Sequence, residues 1–131
     1  MMFSAVTLLL AAAVAASSGS PRQVSRPRIV VLGDSLASGR GIGTANAFPA
    51  VLQEKLDQEG LRFEMVNAGI SGDTSARALR RYEQLLDEHV RVLVLELGAN
   101  DGLRGVAIEQ VKENLSRIIE AAQSRGITVL L

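Results

Sequence analysis

Hydrophobic period switches repeatedly along this chain between that of a buried strand and that of a one-sided helix, and few folds accommodate such alternation. Ile29-Val30-Val31-Leu32 is an unbroken branched apolar run closed by Gly33, the pattern of a strand covered on both faces. Phe48, Val51, Leu52 and Leu56 recur at helical spacing, with Gly60 placed to end that helix. Residues 62–66 form a second, weaker strand candidate. Thr74 or Ser75 can cap a helix whose inward stripe is Leu79, Tyr82, Leu85 and Leu86. Val92-Leu93-Val94-Leu95 repeats the buried-strand pattern. Ile108, Val111, Leu115, Ile118, Ile119 and Ala122 make a third helical stripe ended by Gly126, and residues 127–131 begin a fourth strand. Parallel neighbours cannot be joined by tight hairpins, so this order implies an α/β fold, an open parallel sheet with crossover helices on its faces.

Charge separates a leader from this domain. The first twenty residues carry no charged side chain and hold the apolar run Phe3 to Ala16, which inflates the overall hydrophobic share of 47%. The run is too short for a bilayer span of about 20 apolar residues but suits a secretory h-region, and Ala13-Val14-Ala15 is an A-x-A-like cleavage site. No Lys or Arg precedes Phe3, which is unusual for an n-region. Residues 1–20 are therefore expected to be a signal peptide and linker, and the mature protein is expected outside the cytoplasm, periplasmic or secreted, with no stable membrane span.

In open parallel sheets, ligands bind beyond the carboxyl ends of the strands. The segments there are Gly33-Asp34-Ser35, then residues 67–74 (NAGISGDT), then Gly98-Ala99-Asn100-Asp101-Gly102. Each has a plain structural explanation: Asp34 or Ser35 can cap a helix, Gly69 and Gly72 can supply positive φ, and Asn100-Asp101-Gly102 can be a turn. Together they hold the parts of an acyl-transfer site: a serine at a strand-to-helix turn, a close-approaching glycine N–H and an asparagine amide.

These segments resemble the conserved blocks of the GDSL, or SGNH, hydrolases. Residues 31–36 (VLGDSL) look like the block bearing the nucleophile, residues 70–75 (ISGDTS) like that bearing the oxyanion glycine, and residues 97–105 (LGANDGLRG) like that bearing the oxyanion asparagine. Order and separation also agree, and the likeness runs from about Arg28 to the last residue, nearest to the bacterial arylesterase, thioesterase I and lysophospholipase L1 group. The resemblance implies a flavodoxin-like three-layer α/β/α domain over residues 27–131, hydrolysis of small-molecule acyl esters or thioesters, and no metal or organic cofactor. It makes Ser35 the nucleophile and first oxyanion donor, Gly72 the second donor and Asn100 the third, with Asn100 expected to matter more to rate than to stability. Asp34, Asp73 and Asp101 would hold loops.

One element of the family pattern, a late Asp-x-x-His segment carrying the catalytic base, has no counterpart here. His89 is the only histidine. In Asp87-Glu88-His89 the acid and imidazole are two residues apart, and a position just before the third strand belongs to the amino-end edge of the sheet, far from Ser35. His89 is thus expected to be a helix-terminal residue, not the base. A fourth strand with no covering helix suggests a domain truncated after that strand, whose 131 residues would hydrolyse activated esters feebly or not at all.

The remaining composition narrows the alternatives. Fourteen Lys and Arg balance fourteen Asp and Glu, which disfavours nucleic acid, and the absence of cysteine removes disulfides, thiolate metal sites and Cys nucleophiles. Gly39-Arg40-Gly41-Ile42-Gly43 fails dinucleotide-binding spacing. A non-catalytic module holding an anion or sugar on the same loop amides, or an inactive remnant, are the other readings.

Overall fold

The structure, a computed structural model, describes residues 25–131; the expected leader at residues 1–20 lies outside the described residues. The elements run β1 (Arg28–Gly33), α1 (Ser35–Ser38), α2 (Phe48–Gln58), β2 (Glu64–Asn67), α3 (Ser75–Leu79), β3 (Val90–Glu96), α4 (Ala99–Leu103), α5 (Ile108–Ser124) and β4 (Thr128–Leu130). Single 3-10 turns occur at Thr44–Asn46 and Glu83–Leu85. All strand pairs are parallel and the order is β2-β1-β3-β4.

Register divides the side chains between two faces. Val30 lies opposite Val66 and Leu93, and Leu32 opposite Leu95. These residues pack with Ala78 of α3 and Ile118 and Ala122 of α5 into the main core. Because side chains alternate along a strand, Ile29 and Val31 point the other way, toward the face where Ala37, Ala47 and Pro49 are buried. Helices thus cover both faces, the three-layer α/β/α arrangement expected from the alternating periods. A polar peg anchors α2 to β2: Gln53 Nε2 donates to the Phe63 carbonyl at 3.1 Å and its Oε1 accepts from Met65 N–H at 2.8 Å.

The helix expected from the 74–86 stripe is not continuous. Thr74 caps it as expected, its hydroxyl accepting from Arg77 N–H, but α3 stops at Leu79. Backbone bonding tightens there, with Arg80 and Arg81 donating three residues back, and the chain resumes as a 3-10 turn. Arg81 accounts for the change. Its guanidinium reaches back to Asp73 at 2.6 Å and 2.9 Å and donates to the Ala68 carbonyl at 2.8 Å. Satisfying fully buried Asp73 outweighs one more helical turn.

The strand order creates the site. From β1 the chain moves out to β2, then crosses back past β1 to β3, so the connections that leave the two central strands run to opposite sides and the topological switch point lies between their carboxyl ends, which stay paired as far as Gly33 and Glu96. At the opposite edge Arg28 ties the sheet, pairing with Glu64 at 2.8 Å and Asp87 at 2.6 Å.

Candidate active site

Ser35 is the first residue of α1, directly beyond β1, and is half-buried. Asp34 precedes it and is 1% exposed. The Asp34 carboxylate has two separate tasks: Oδ1 accepts from Leu36 N–H at 3.0 Å, capping α1, while Oδ2 accepts from Asn100 Nδ2 at 3.0 Å. One buried side chain therefore links the serine turn to the loop after β3. Asn67, at the end of β2, extends the link by donating to the Ala37 carbonyl at 2.7 Å and accepting from Gly69 N–H at 3.0 Å.

The two glycines of the second loop have different reasons. Gly72 has φ +79°, the left-handed conformation expected of it. Gly69 does not have positive φ; a Cβ there would lie 2.5 Å from Ser38 N and 2.7 Å from Ala37 Cβ, so it is the close approach of the loop to α1 that excludes a side chain. The N–H groups of Ser35 and Gly72 donate to no acceptor among the described residues. Two of the three expected donors are therefore unengaged.

Asn100 is not. Its amide donates to Asp34 Oδ2 at 3.0 Å and to the Asp73 carbonyl at 2.9 Å. Both partners are acceptors, which fixes the amide's orientation, and a primary amide has only two protons. Sequence reasoning placed this residue correctly after β3 but assigned its amide to one purpose; the structure gives both protons to loop anchoring. Donation to a developing oxyanion requires exchange of one of these bonds.

The other two acidic residues of the loops tie elements together. Asp73 pairs with Arg81 at 2.6 Å and with Arg77, whose Nε lies 3.4 Å from Oδ1 without forming a hydrogen bond. Asp101, also buried, accepts from Ser75 N–H at 2.9 Å and Ser75 hydroxyl at 2.7 Å, and Asn114 of α5 donates to that hydroxyl at 3.0 Å. The loop around Asn100 forms the short helix α4 instead of a bare turn.

His89 stands at the opposite end of the sheet. Its carbonyl accepts from Arg28 N–H, at the start of β1, and Nδ1 lies 3.0 Å from Ser25 Oγ. It occupies a turn and not a helix end, because the preceding helix has already broken, and Asp87 receives its backbone N–H instead of its ring. The length of β1, roughly 17 Å at about 3.3 Å per residue, separates it from Ser35, whereas a general base must come within hydrogen-bond reach.

Sequence reasoning missed two participants. Arg81 gave no local signal, since its partners lie on other loops. Glu96 did: it is the only charged residue at the end of the apolar run Val92-Leu93-Val94-Leu95. Its Oε2 accepts from Asp34 N–H at 3.1 Å. Burial pushes the Glu96 carboxyl above the ordinary glutamate range; the bond from Asp34 N–H offsets part of this and the adjacent Asp34 charge adds to it. Beside the serine turn, Leu36, Ile42, Phe48, Val51 and Leu52 line an open groove of about 700 Å³. Among the described residues no cluster of His, Asp or Glu could hold a metal, and no helix is long and apolar enough to cross a membrane.

Comparison with known proteins places this geometry in context. The GDSL-like lipase/acylhydrolase family profile matches residues 31–131. Esterase TesA of Pseudomonas aeruginosa is 42% identical over 111 residues, covering 84% of this chain and 55% of the relative. Thioesterase 1/protease 1/lysophospholipase L1 of Escherichia coli K12 is 37% identical over 111 residues, covering 84% and 52%. Among solved structures, AlinE4, described as an SGNH-hydrolase family esterase, superposes with a TM-score of 0.76 at 38% identity, over 82% of this chain and 58% of that one. The chain spans about half the length of the curated relatives it matches.

Proposed function

The chain belongs to the GDSL-like lipase/acylhydrolase family, and from that premise we propose that it carries the nucleophile and oxyanion donors of a serine hydrolase acting on carboxylic esters, aryl or lysophospholipid, or on acyl thioesters. The observation that carries this reading is the pair of unengaged N–H groups, one on Ser35 directly after β1 and one on Gly72 in the loop after β2, both beyond the carboxyl ends of the strands at the switch point. Ser35 Oγ attacks the acyl carbonyl as its proton passes to a base. The oxygen gains negative charge and is received by the Ser35 and Gly72 N–H groups, with Asn100 joining once it releases Asp34 or Asp73. The leaving group departs, and water then frees the acyl group from Ser35. The adjoining apolar groove supports a substrate with a hydrocarbon acyl part. No cofactor enters this chemistry. The uncharged leader supports export to the periplasm or beyond.

His89 is not the base, so these 131 residues present Ser35 with no imidazole in reach. That makes chemical rescue the test. The purified chain should turn over p-nitrophenyl acetate barely above background; added imidazole should raise the rate, and the increment should exceed that of Ser35→Ala by at least about tenfold, less than the roughly 10²–10⁴-fold of a positioned general base because free imidazole is not held in place. Equal increments would overturn Ser35 as nucleophile, and an anion- or sugar-binding module predicts that result. Enzyme-like turnover without imidazole would overturn the absence of a base.

A further inference from the structure

Glu96 is a part-buried carboxyl that the acyl-transfer scheme does not use, yet it sits against the nucleophile turn. In the parallel register it lies opposite Gly33. Its side chain occupies the space a residue with a Cβ would fill at that position: an added Cβ on Gly33 would come within 2.8 Å of Glu96 Oε2. The φ of Gly33 is not positive, so glycine stands there for room and not for backbone freedom. The same Oε2 accepts from Asp34 N–H at 3.1 Å. Asp34 in turn holds Leu36 N–H with one carboxylate oxygen and Asn100 with the other.

We propose that Glu96 is a positioning residue for the candidate active site: lodged against Gly33, its ionised carboxylate holds Asp34 by the backbone, and through the Asp34 side chain sets both the start of the Ser35 helix and the Asn100 amide. A proton on Glu96 turns an acceptor into a donor facing the Asp34 carboxylate. That carboxylate then has a third suitor for the oxygens that cap α1 and hold Asn100, so the turn and the amide respond to one titration. The groups facing Glu96 are few. From β1 and its exit there is Asp34; α1 and β4 present no charged residue; and across the sheet end Arg81, paired with Asp73, reaches the Gly33 carbonyl at 3.4 Å. Burial raises the Glu96 affinity for protons, so the response comes at a higher pH than for an exposed glutamate.

This inference rests on the acyl-transfer reading for its functional meaning, but its test reads geometry and is independent of whether Ser35 reacts. Isotope-labelled protein, wild type, Glu96→Gln and Glu96→Ala, is followed by NMR from about pH 4 to about pH 8. In the wild type the Asp34 backbone amide and the Asn100 side-chain amide should shift together, with the midpoint of the Glu96 carboxyl carbon. Glu96→Gln, which keeps an acceptor oxygen, should abolish that shared step while leaving Asp34 amide exchange within about threefold of wild type. Glu96→Ala should accelerate that exchange about tenfold, the loss of one hydrogen bond of about 1.4 kcal/mol. A shared step that persists in Glu96→Gln, or an Asn100 amide indifferent to the Glu96 midpoint, overturns the proposal. Should Glu96→Ala not fold, the wild-type and Gln titrations decide alone. An inert Ser35 under imidazole would defeat the nucleophile reading and leave these titrations unchanged.

Discussion

Asn100 shows how much a single residue's assignment depends on neighbours that sequence does not reveal. The motif indicates an amide at the carboxyl end of β3, and the chain delivers it there. Which acceptors that amide meets depends on the backbone of two other loops, and those acceptors, Asp34 Oδ2 and the Asp73 carbonyl, claim both protons. Asn100→Ala should therefore reduce stability as well as rate. It leaves a buried carboxylate oxygen and a carbonyl without a donor, a cost of about 1–3 kcal/mol, readable as a lowered urea midpoint with unchanged slope. An unchanged midpoint would return the residue to a purely catalytic assignment. Gly69 carries a similar lesson. Its residue type was visible, but its reason was contact with α1 and not φ. Gly69→Ala should destabilise by about 1–3 kcal/mol through overpacking against Ser38 N and Ala37, and a Gly69→Ala protein as stable as wild type would show that the loop can retreat.

Elements were legible where one apolar stripe decided them. β1, β3, α2 and α5 appear where hydrophobic period placed them, because their burial is one-dimensional: strand residues alternate, helix residues recur, and Gly60 and Gly126, with φ of +71° and +72°, stop the helices. The 74–86 helix failed because its stripe was only one of two demands on the segment. Leu79, Tyr82 and Leu85 do pack against the core, but Arg81 is pulled toward Asp73 and the Ala68 carbonyl, and the helix tightens and ends between them. Such a polar partner lies outside the helix and leaves no trace in its periodicity. Arg81→Ala should expose the cost. Asp73 would remain buried with only Arg77, 3.4 Å from the other oxygen, and removal of one member of a buried pair typically costs about 3–5 kcal/mol. A denaturation midpoint shifted by less than about a third of that would mean water or Arg77 replaces Arg81. Arg81→Lys should recover only part of the loss, since one ammonium cannot serve Asp73, Ala68 and Gly33 with the geometry of a guanidinium.

Over the whole molecule, charge is arranged by sheet end. The amino end carries the exposed Arg28, Glu64 and Asp87 group, and the carboxyl end carries Asp34, Glu96, Asp73 and Arg81 around the candidate site. The two ends should respond to pH in opposite senses. The backbone N–H of His89 holds the Asp87 carboxyl below its usual value of 3.8, with Arg28 adding to the effect against some desolvation. Its contribution to stability is present above the unfolded value and is lost as pH falls through the lower folded one. Glu96 is raised above 4.5, so between its unfolded and folded values the native state binds the proton that the unfolded chain has released. Stability from this group is then complete below about pH 4.5, declines as pH rises toward the folded value, and is level beyond it. The net charge of zero keeps general repulsion small near neutrality, which leaves these local terms visible. Urea midpoints measured at several pH values should therefore pass through a maximum on the mildly acidic side. Glu96→Gln should flatten the decline above that maximum, because its side chain never ionises, while leaving the acid limb set by Asp87 in place. A decline of equal size in Glu96→Gln would assign it to a different group. A flattened decline would show that the carboxyl end of the sheet sacrifices some stability near neutral pH to keep an ionised Glu96 against the serine turn.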